Sequence, residues 1–194
     1  MTLGRPQQFD TDTALEAAMN LFWSKGYEAC SLQDLLKATH LSKSSLYKTF
    51  SNKEKLFEKC LLRYQDNLAK NMITALNESQ SGIRFIEEVL LENAEEAKGS
   101  SKKIGCFLLN TAVEFTQEKP AIAAIVSKSI TRFESIFEDA VMLAKKNNEI
   151  TQDTDAKELA QFIFNSFTGL KTRVKAGASQ KEVESIVKTT IRAL

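Results

Sequence analysis

A four-residue segment of the chain, Ser42-Lys43-Ser44-Ser45, has side chains of the types that can bind phosphate oxygens. Lysine donates from a charged ammonium group and serine from a hydroxyl, and the first turn of a helix adds backbone amides that attract anions. Lys48 follows about one helical turn later. Each of these residues alone is commonly a solvated charge or a helix cap. The prediction of a DNA-backbone contact therefore depends on their joint occurrence.

The positive charge of the chain is concentrated around this segment. Residues 37–55 contain five lysines and one acidic residue, whereas the whole chain of 194 residues has a formal net charge of +1. A local excess of lysine on a nearly neutral protein is typical of a surface that meets a polyanion. The alternative is an ordinary solvated surface.

The remaining reactive side chains do not form a catalytic or metal-binding set. His40 is the only histidine, and no cysteine or carboxylate lies at metal-ligand spacing from it. The three cysteines are widely spaced, which favours free thiols in a reducing compartment. We therefore expect no enzyme activity, no metal site and no cofactor.

Cys106 is the one thiol for which a chemical role is considered. It follows Gly105 at a predicted helix start, with Lys102 and Lys103 just before it. Helix N-termini and ammonium groups stabilise a thiolate, so an electrophile or oxidant sensor is one hypothesis. The alternative is a buried thiol that packs as a small apolar group.

The composition favours an all-α fold. Only 7 glycines and 2 prolines punctuate the chain, and 43% of its residues are hydrophobic, which is ordinary for a globular protein. No apolar stretch reaches the length of a membrane span, and residues 1–10 lack the apolar region of a signal peptide. We expect a cytoplasmic protein that does not enter the membrane.

Capping signals delimit the first two predicted helices. Apolar residues at helical spacing predict a helix over residues 11–25, which Asp10 should cap and Gly26 should end with a positive φ angle. A capping box between Ser31 and Asp34 then predicts a short second helix.

Only His40 and Leu41 separate the second helix from a third that begins at Ser42. A connection of this length suits a helix-turn-helix corner, and histidine tolerates positive φ better than most residues, so His40 is predicted to be a turn residue. A capping box at Ser51 predicts a long fourth helix. Further helices are predicted over residues 83–97, 106–115, 121–146, 156–175 and 180–193.

The sequence LSKSSLYKTFSNKEKLF, residues 41–57, resembles the SKxxLYxxFxxKExLF signature of the tetracycline-repressor (TetR) family of transcriptional regulators. Residues 17–36 are similar to the first two helices of that family. His40 and Ser44 depart from the pattern, since the family often has glycine at both positions. The resemblance implies an N-terminal three-helix helix-turn-helix domain over residues 1–53. It also implies a C-terminal helical bundle for effector binding and dimerisation over residues 54–194.

The function implied by the resemblance is a sequence-specific DNA-binding regulator. We expect a homodimeric repressor that an unidentified small molecule releases from a palindromic operator in double-stranded DNA. The alternative is a helical lipophile-binding protein or a protein-interaction adaptor without DNA binding. The residues assigned to DNA by the resemblance, including a basic arm before the first helix, are Arg5, Ser42, Lys43, Ser44, Ser45, Tyr47, Lys48 and Lys53.

The phenylalanines of the C-terminal helices, and the apolar stripes on the last two of them, each allow two interpretations. Eight of the 12 phenylalanines lie between residues 85 and 167, and they form either an effector cavity or an ordinary core. The predicted effector-binding residues are Phe85, Cys106, Asn110, Phe133 and Phe137.

The stripes on the last two helices pack within one subunit or form the two-fold contact that places two recognition helices about 34 Å apart. The predicted dimer residues are Leu159, Phe162, Ile163, Ser166, Phe167, Leu170, Val183, Ile186 and Val187.

Overall fold

The computed structural model describes residues 10–99, 103–115, 119–153 and 155–194. Within these ranges the regular structure is entirely α-helical, which confirms the predicted fold class. The predicted helix bounds agree with the observed ones to within about one residue, because caps and glycines mark most helix ends. The helices are α1 (Thr11–Lys25), α2 (Leu32–Thr39), α3 (Lys43–Phe50), α4 (Lys53–Glu78), α5 (Gly82–Lys98), α6 (Phe107–Glu114), α7 (Pro120–Lys146), α8 (Ala156–Lys175) and α9 (Gln180–Arg192).

The chain divides into two compact units inside α4, between Tyr64 and Gln65. The domain boundary predicted from the sequence, after residue 53, coincides with the start of the same helix. α4 therefore contributes its first turns to the N-terminal unit and its remainder to the C-terminal unit.

The ends of α1 and α2 form as their capping residues predict. The carboxylate of Asp10 accepts from the backbone of Asp12 at 3.0 Å, and Gly26, with φ 85°, donates to the carbonyl of Phe22 at 2.7 Å. Ser31 and Asp34 form the predicted capping box of α2. These hydrogen bonds satisfy backbone groups that a helix end otherwise leaves unpaired.

An aromatic cluster fills the N-terminal unit. The rings of Phe22 and Tyr27 each contact the ring of Phe57 edge-on, with both centroid distances 4.9 Å. From α3, Leu46 and Phe50 are buried, as predicted. One side of the short helix α3 is thus fixed in the core, and its other side remains available at the surface.

The start of α4 differs from the prediction by one residue. The side chain of Asn52, and not that of Ser51, accepts from the backbone amide of Lys55 at 2.8 Å. Ser51 instead takes a left-handed conformation, φ 68°, and its amide donates to the carbonyl of Tyr47 to close α3. A residue that ends one helix in this conformation cannot also take the extended conformation of an N-cap.

α5 is the central helix of the C-terminal unit and packs against α7, α8 and α9. Its first residue, Gly82, lies directly on the backbone of α7. A Cβ atom at this position would overlap the carbonyl oxygen of Ala140 and lie 2.6 Å from the amide nitrogen of Ala144. Only glycine permits this close approach between the two helices.

Candidate nucleic-acid interface

The connection between α2 and α3 is a tight left-handed turn. His40 has φ 55° and ψ 23°, which confirms its predicted role as a turn residue. Leu41 is buried, and its amide donates to the hydroxyl of Thr39 at 3.4 Å. The turn is therefore tied to α2 on one side and to the core on the other, so the start of α3 has a defined position within the unit.

The hydroxyl of Ser42 organises the first turn of α3. Its Oγ accepts from the backbone amide of Ser45 at 3.1 Å, which is the N-cap hydrogen bond. The hydroxyl of Ser42 in turn donates to Oγ of Ser45 at 2.9 Å, and the hydroxyl of Ser44 lies 3.0 Å from that of Ser42. The three serines thus form one hydroxyl cluster at the positive end of the helix dipole.

The outer side of α3 carries the cationic and hydroxyl side chains. Lys43, Ser44 and Lys48 are exposed, Tyr47 is 37% exposed and Ser45 is half-buried. An exposed helix face with ammonium, phenol and hydroxyl donors is able to contact phosphate oxygens and base edges together.

Two of the predicted DNA contacts lie apart from α3. Lys53 is half-buried at the first position of α4, and its ammonium nitrogen lies 4.2 Å from the ring centroid of Tyr27. Sequence reasoning did not single out Tyr27, because 26 positions separate the two residues. Arg5 lies outside the described residues.

The charge pattern beside α2 is set by an ion pair. The ammonium of Lys25 lies 3.0 Å from the carboxylate of Asp34. This ammonium and the hydroxyl and amide of Ser31 lower the pKa of the Asp34 carboxyl to about 2. Asp34 therefore stays ionised near neutral pH, and its charge is balanced by Lys25.

The predicted effector-binding phenylalanines are buried and pack against other rings. The centroids of Phe85 and Phe137 are 6.4 Å apart, and Phe137 lies 6.3 Å from Phe167. Phe133 stacks on Phe164 at 6.3 Å. These contacts are those of a helix core, so ligand binding by these phenylalanines stays a prediction.

The two polar effector candidates lie at the start of α6. Cys106 is 5% exposed and is the N-cap residue of α6, without a side-chain capping hydrogen bond. The amide nitrogen of Asn110 donates to the carbonyl of Ile104 at 2.8 Å, and its oxygen accepts from the ammonium of Lys175 at 2.7 Å. Asn110 thus fixes the segment that leads into α6, and its contact with an effector stays a prediction.

A groove between α6 and α7 involves residues that sequence reasoning mostly did not select. Its volume is about 260 Å³. Small residues on two successive helices were the available signal, because they leave space between the helices. The lining residues are Ala112, Phe115, Ala123, Val126, Ser127, Ile130 and Thr131.

The predicted dimer residues separate into an inner and an outer set. The inner set is buried within the single chain and comprises Ile163, Phe167, Leu170, Val183 and Val187. The outer set is at least partly exposed and comprises Leu159, Phe162, Ser166 and Ile186. The inner set packs on its own chain, which leaves these side chains little area for a partner, so a direct dimer contact by them stays a prediction.

Among the outer set, Phe162 is 42% exposed and borders a surface groove of about 240 Å³ that it shares with α9. On the same helix, a Cβ atom added to Gly169 would meet no other atom within 4 Å. Here α8 presents an aromatic ring and a side-chain-free position, which would permit close approach of another helix.

Two absences within the described ranges bear on other functions. No three histidine, cysteine or acidic side chains lie together in a group able to hold a metal ion. In the same ranges, none of the helices is both long and apolar enough to cross a bilayer.

Comparison with known proteins identifies both parts of the chain. A family model described as bacterial regulatory proteins, tetR family, matches residues 14–60, and one described as a tetracyclin repressor-like C-terminal domain matches residues 86–190. The chain is 32% identical to the transcriptional repressor ComR of Escherichia coli, over 97% of this chain and 90% of ComR. It is 26% identical to the transcriptional regulator YezE of Bacillus subtilis, over 99% and 100% of the two chains.

A solved structure gives the same relationship. The regulator CifR, in a cysteine mutant complexed with double-strand operator DNA, superposes with a TM-score of 0.84 at 28% identity, over 97% of this chain and 99% of CifR. A lipophile carrier or an adaptor without DNA binding is not favoured. The matched models, the relatives and the helix-turn-helix geometry together establish that this chain belongs to the TetR family of DNA-binding transcriptional regulators.

Proposed function

We propose that the chain acts as a homodimeric repressor that binds a palindromic operator through α3 and leaves it when a small molecule binds to the C-terminal helices. The observation that carries the proposal is the division of α3 into two sides. Leu46 and Phe50 anchor its inner side in the core, and Lys43 and Lys48 occupy its exposed side. A helix fixed in this way presents its donors to DNA without reordering.

The contacts divide by chemistry. Lys43, Tyr47 and Lys48 bind phosphates, which gives affinity for any duplex. Ser44 and Ser45 approach base edges, which gives preference among sequences. Arg5 belongs to a basic arm that follows the backbone or enters a narrow minor groove.

Repression is supported by the relatives. ComR is named a transcriptional repressor, and CifR is described in complex with operator DNA. A protein whose partner is chromosomal DNA works in the bacterial cytoplasm.

The dimer is supported by the exposed side of α8 and α9. Two recognition helices must lie about 34 Å apart, one turn of DNA, to read both halves of a palindrome, and a two-fold interface provides that spacing. Phe162, Ser166 and Ile186 supply the apolar and small side chains for such an interface.

Effector release is supported by the space between C-terminal helices. The groove between α6 and α7 has mostly apolar and small hydroxyl side chains, which suits an apolar small molecule. Asn110 and Cys106 lie at the start of α6 and would sense a ligand that displaces that helix.

Salt-dependent DNA binding tests the assignment of α3. Each Lys43→Ala dimer loses two phosphate contacts, so the slope of log affinity against log salt should fall by about 1.8 in magnitude. Gel-shift titrations with a duplex selected from a random library, at several salt concentrations, measure the slope. Lys188→Ala, an exposed lysine of α9, is the matched control and should leave the slope unchanged.

Ser45→Ala should alter the ranking of related duplexes more than the overall affinity. An unchanged slope in both Lys43→Ala and Lys48→Ala would show that α3 does not contact the phosphates.

A further inference from the structure

The ammonium group of Lys53 lies over an aromatic ring, at a helix position that is electrostatically unfavourable for a cation. It is the first residue of α4, where the positive end of the helix dipole repels an ammonium group. Its ammonium nitrogen lies 4.2 Å from the ring centroid of Tyr27, well inside the range of a cation–π contact. The attraction of the ring for the cation opposes the repulsion by the dipole, so the side chain has a preferred position.

The ring itself has little freedom to move. Tyr27 is 7% exposed, stacks on Phe22 with a centroid distance of 6.0 Å and contacts Phe57 edge-on at 4.9 Å. Both neighbours are fully buried. The face that Tyr27 offers to the cation is therefore fixed by the core of the N-terminal unit.

The charge of Lys53 remains available for a further partner. Two nearby lysines are neutralised in the structure, Lys25 by Asp34 at 3.0 Å and Lys55 by Glu58 at 2.8 Å. Across the described ranges, no carboxylate lies within ion-pair distance of the Lys53 ammonium. A ring face accepts no conventional hydrogen bond, so the three donors of the ammonium can still reach a phosphate oxygen.

We propose that Tyr27 is a positioning residue for DNA binding, whose buried ring holds the Lys53 ammonium ready for a phosphate of the duplex. The proposal depends on the proposed DNA-binding function and adds a residue that does not itself contact DNA. A free lysine loses rotamer freedom when it binds a phosphate, and a lysine already held by a ring loses less. This pre-organisation is expected to raise affinity about two- to tenfold for each Lys53 that contacts DNA.

A double-mutant cycle in the full-length protein tests the proposal. The affinities of wild type, Tyr27→Leu, Lys53→Gln and the double variant are measured for random-sequence duplex DNA at low salt. Tyr27→Leu should weaken binding about two- to tenfold per contact when Lys53 is present, and it should have little effect when Lys53 is already glutamine. An equal loss in both backgrounds would overturn the proposal, because it would show that Tyr27 acts through general stability.

Tyr27→Phe is the matched control, because it keeps the ring face and most of the packing. This variant should bind DNA nearly as wild type does, and weakening as large as that of Tyr27→Leu would contradict the cation–π account. Thermal unfolding of each variant verifies that the protein measured is folded. If Lys53→Gln alone leaves the affinity unchanged, the positioning role of Tyr27 is wrong, but DNA binding through α3 still holds. If the wild-type protein does not bind duplex DNA, the positioning role and the proposed DNA-binding function are both wrong.

Discussion

Removing the exposed ring of Phe162 should dissociate the dimer without unfolding the subunit. Phe162 is 42% exposed in the single chain. A phenylalanine side chain buries about 200 Å² in full, so the exposed part is roughly 80 Å², worth about 2 kcal/mol at 25 cal/mol per Å². A two-fold interface contains the contact twice, so Phe162→Ala should cost up to about 4 kcal/mol, or about a thousandfold in the dimer dissociation constant.

Sedimentation equilibrium over a dilution series measures this constant, and thermal unfolding checks the subunit. Val113→Ala is the control, because Val113 is 86% exposed on α6, outside the predicted interface. Phe167→Ala supplies the contrast, since its buried ring packs on Phe137 and Phe164 and its loss should cost about 3–5 kcal/mol of folding stability. A folded Phe162→Ala protein with an unchanged dissociation constant would refute the assignment of this face.

Three further predictions concern stability and thiol chemistry. Gly82→Ala should lower the free energy of unfolding by about 1–3 kcal/mol in denaturant titrations, because its Cβ overlaps the backbone of α7; no loss would contradict the close approach. The interactions that lower the pKa of Asp34 stabilise the fold at pH values above about 4, the ordinary pKa of an aspartate carboxyl. This contribution is lost as the pH falls through the folded pKa of about 2. Asp34→Asn should therefore flatten the decline of the unfolding midpoint in that pH window, and an unaltered decline would exclude Asp34 as its source. Cys106, which is 5% exposed, should react with iodoacetamide before Cys30, because burial raises the pKa of the Cys30 thiol to about 11. Timed mass spectrometry measures the order of labelling, and a gel-shift assay beside it measures the release of DNA. Slower labelling of Cys106 than of Cys30 would end the sensor hypothesis.

Local signals in the sequence were sufficient for the helices. The capping residues act within four residues of the helix end that they define, as Asp10, Gly26 and the Ser31–Asp34 box show. Their effect can therefore be predicted without knowledge of the tertiary structure. The start of α4 is the exception. Ser51 and Asn52 are both capping residues by type, and the choice between them depended on how α3 ends.

The DNA-binding segment was predictable for a related reason. Ser42 caps the short helix that contains Lys43 and Lys48, and helical periodicity already separates the two lysines from the buried Leu46 and Phe50. Chemistry that is confined to one element can be read from the spacing of its residues.

The helices, the helix-turn-helix and the chemical character of α3 follow from local sequence, because each depends on residues a few positions apart. Tertiary packing sets which residues of the α8 stripe face inward, since Phe162 and Phe167 are both phenylalanines of that stripe but have different neighbours. It alone also brought the ring of Tyr27 to the ammonium of Lys53, because contacts between distant residues depend on how helices pack and not on local preference.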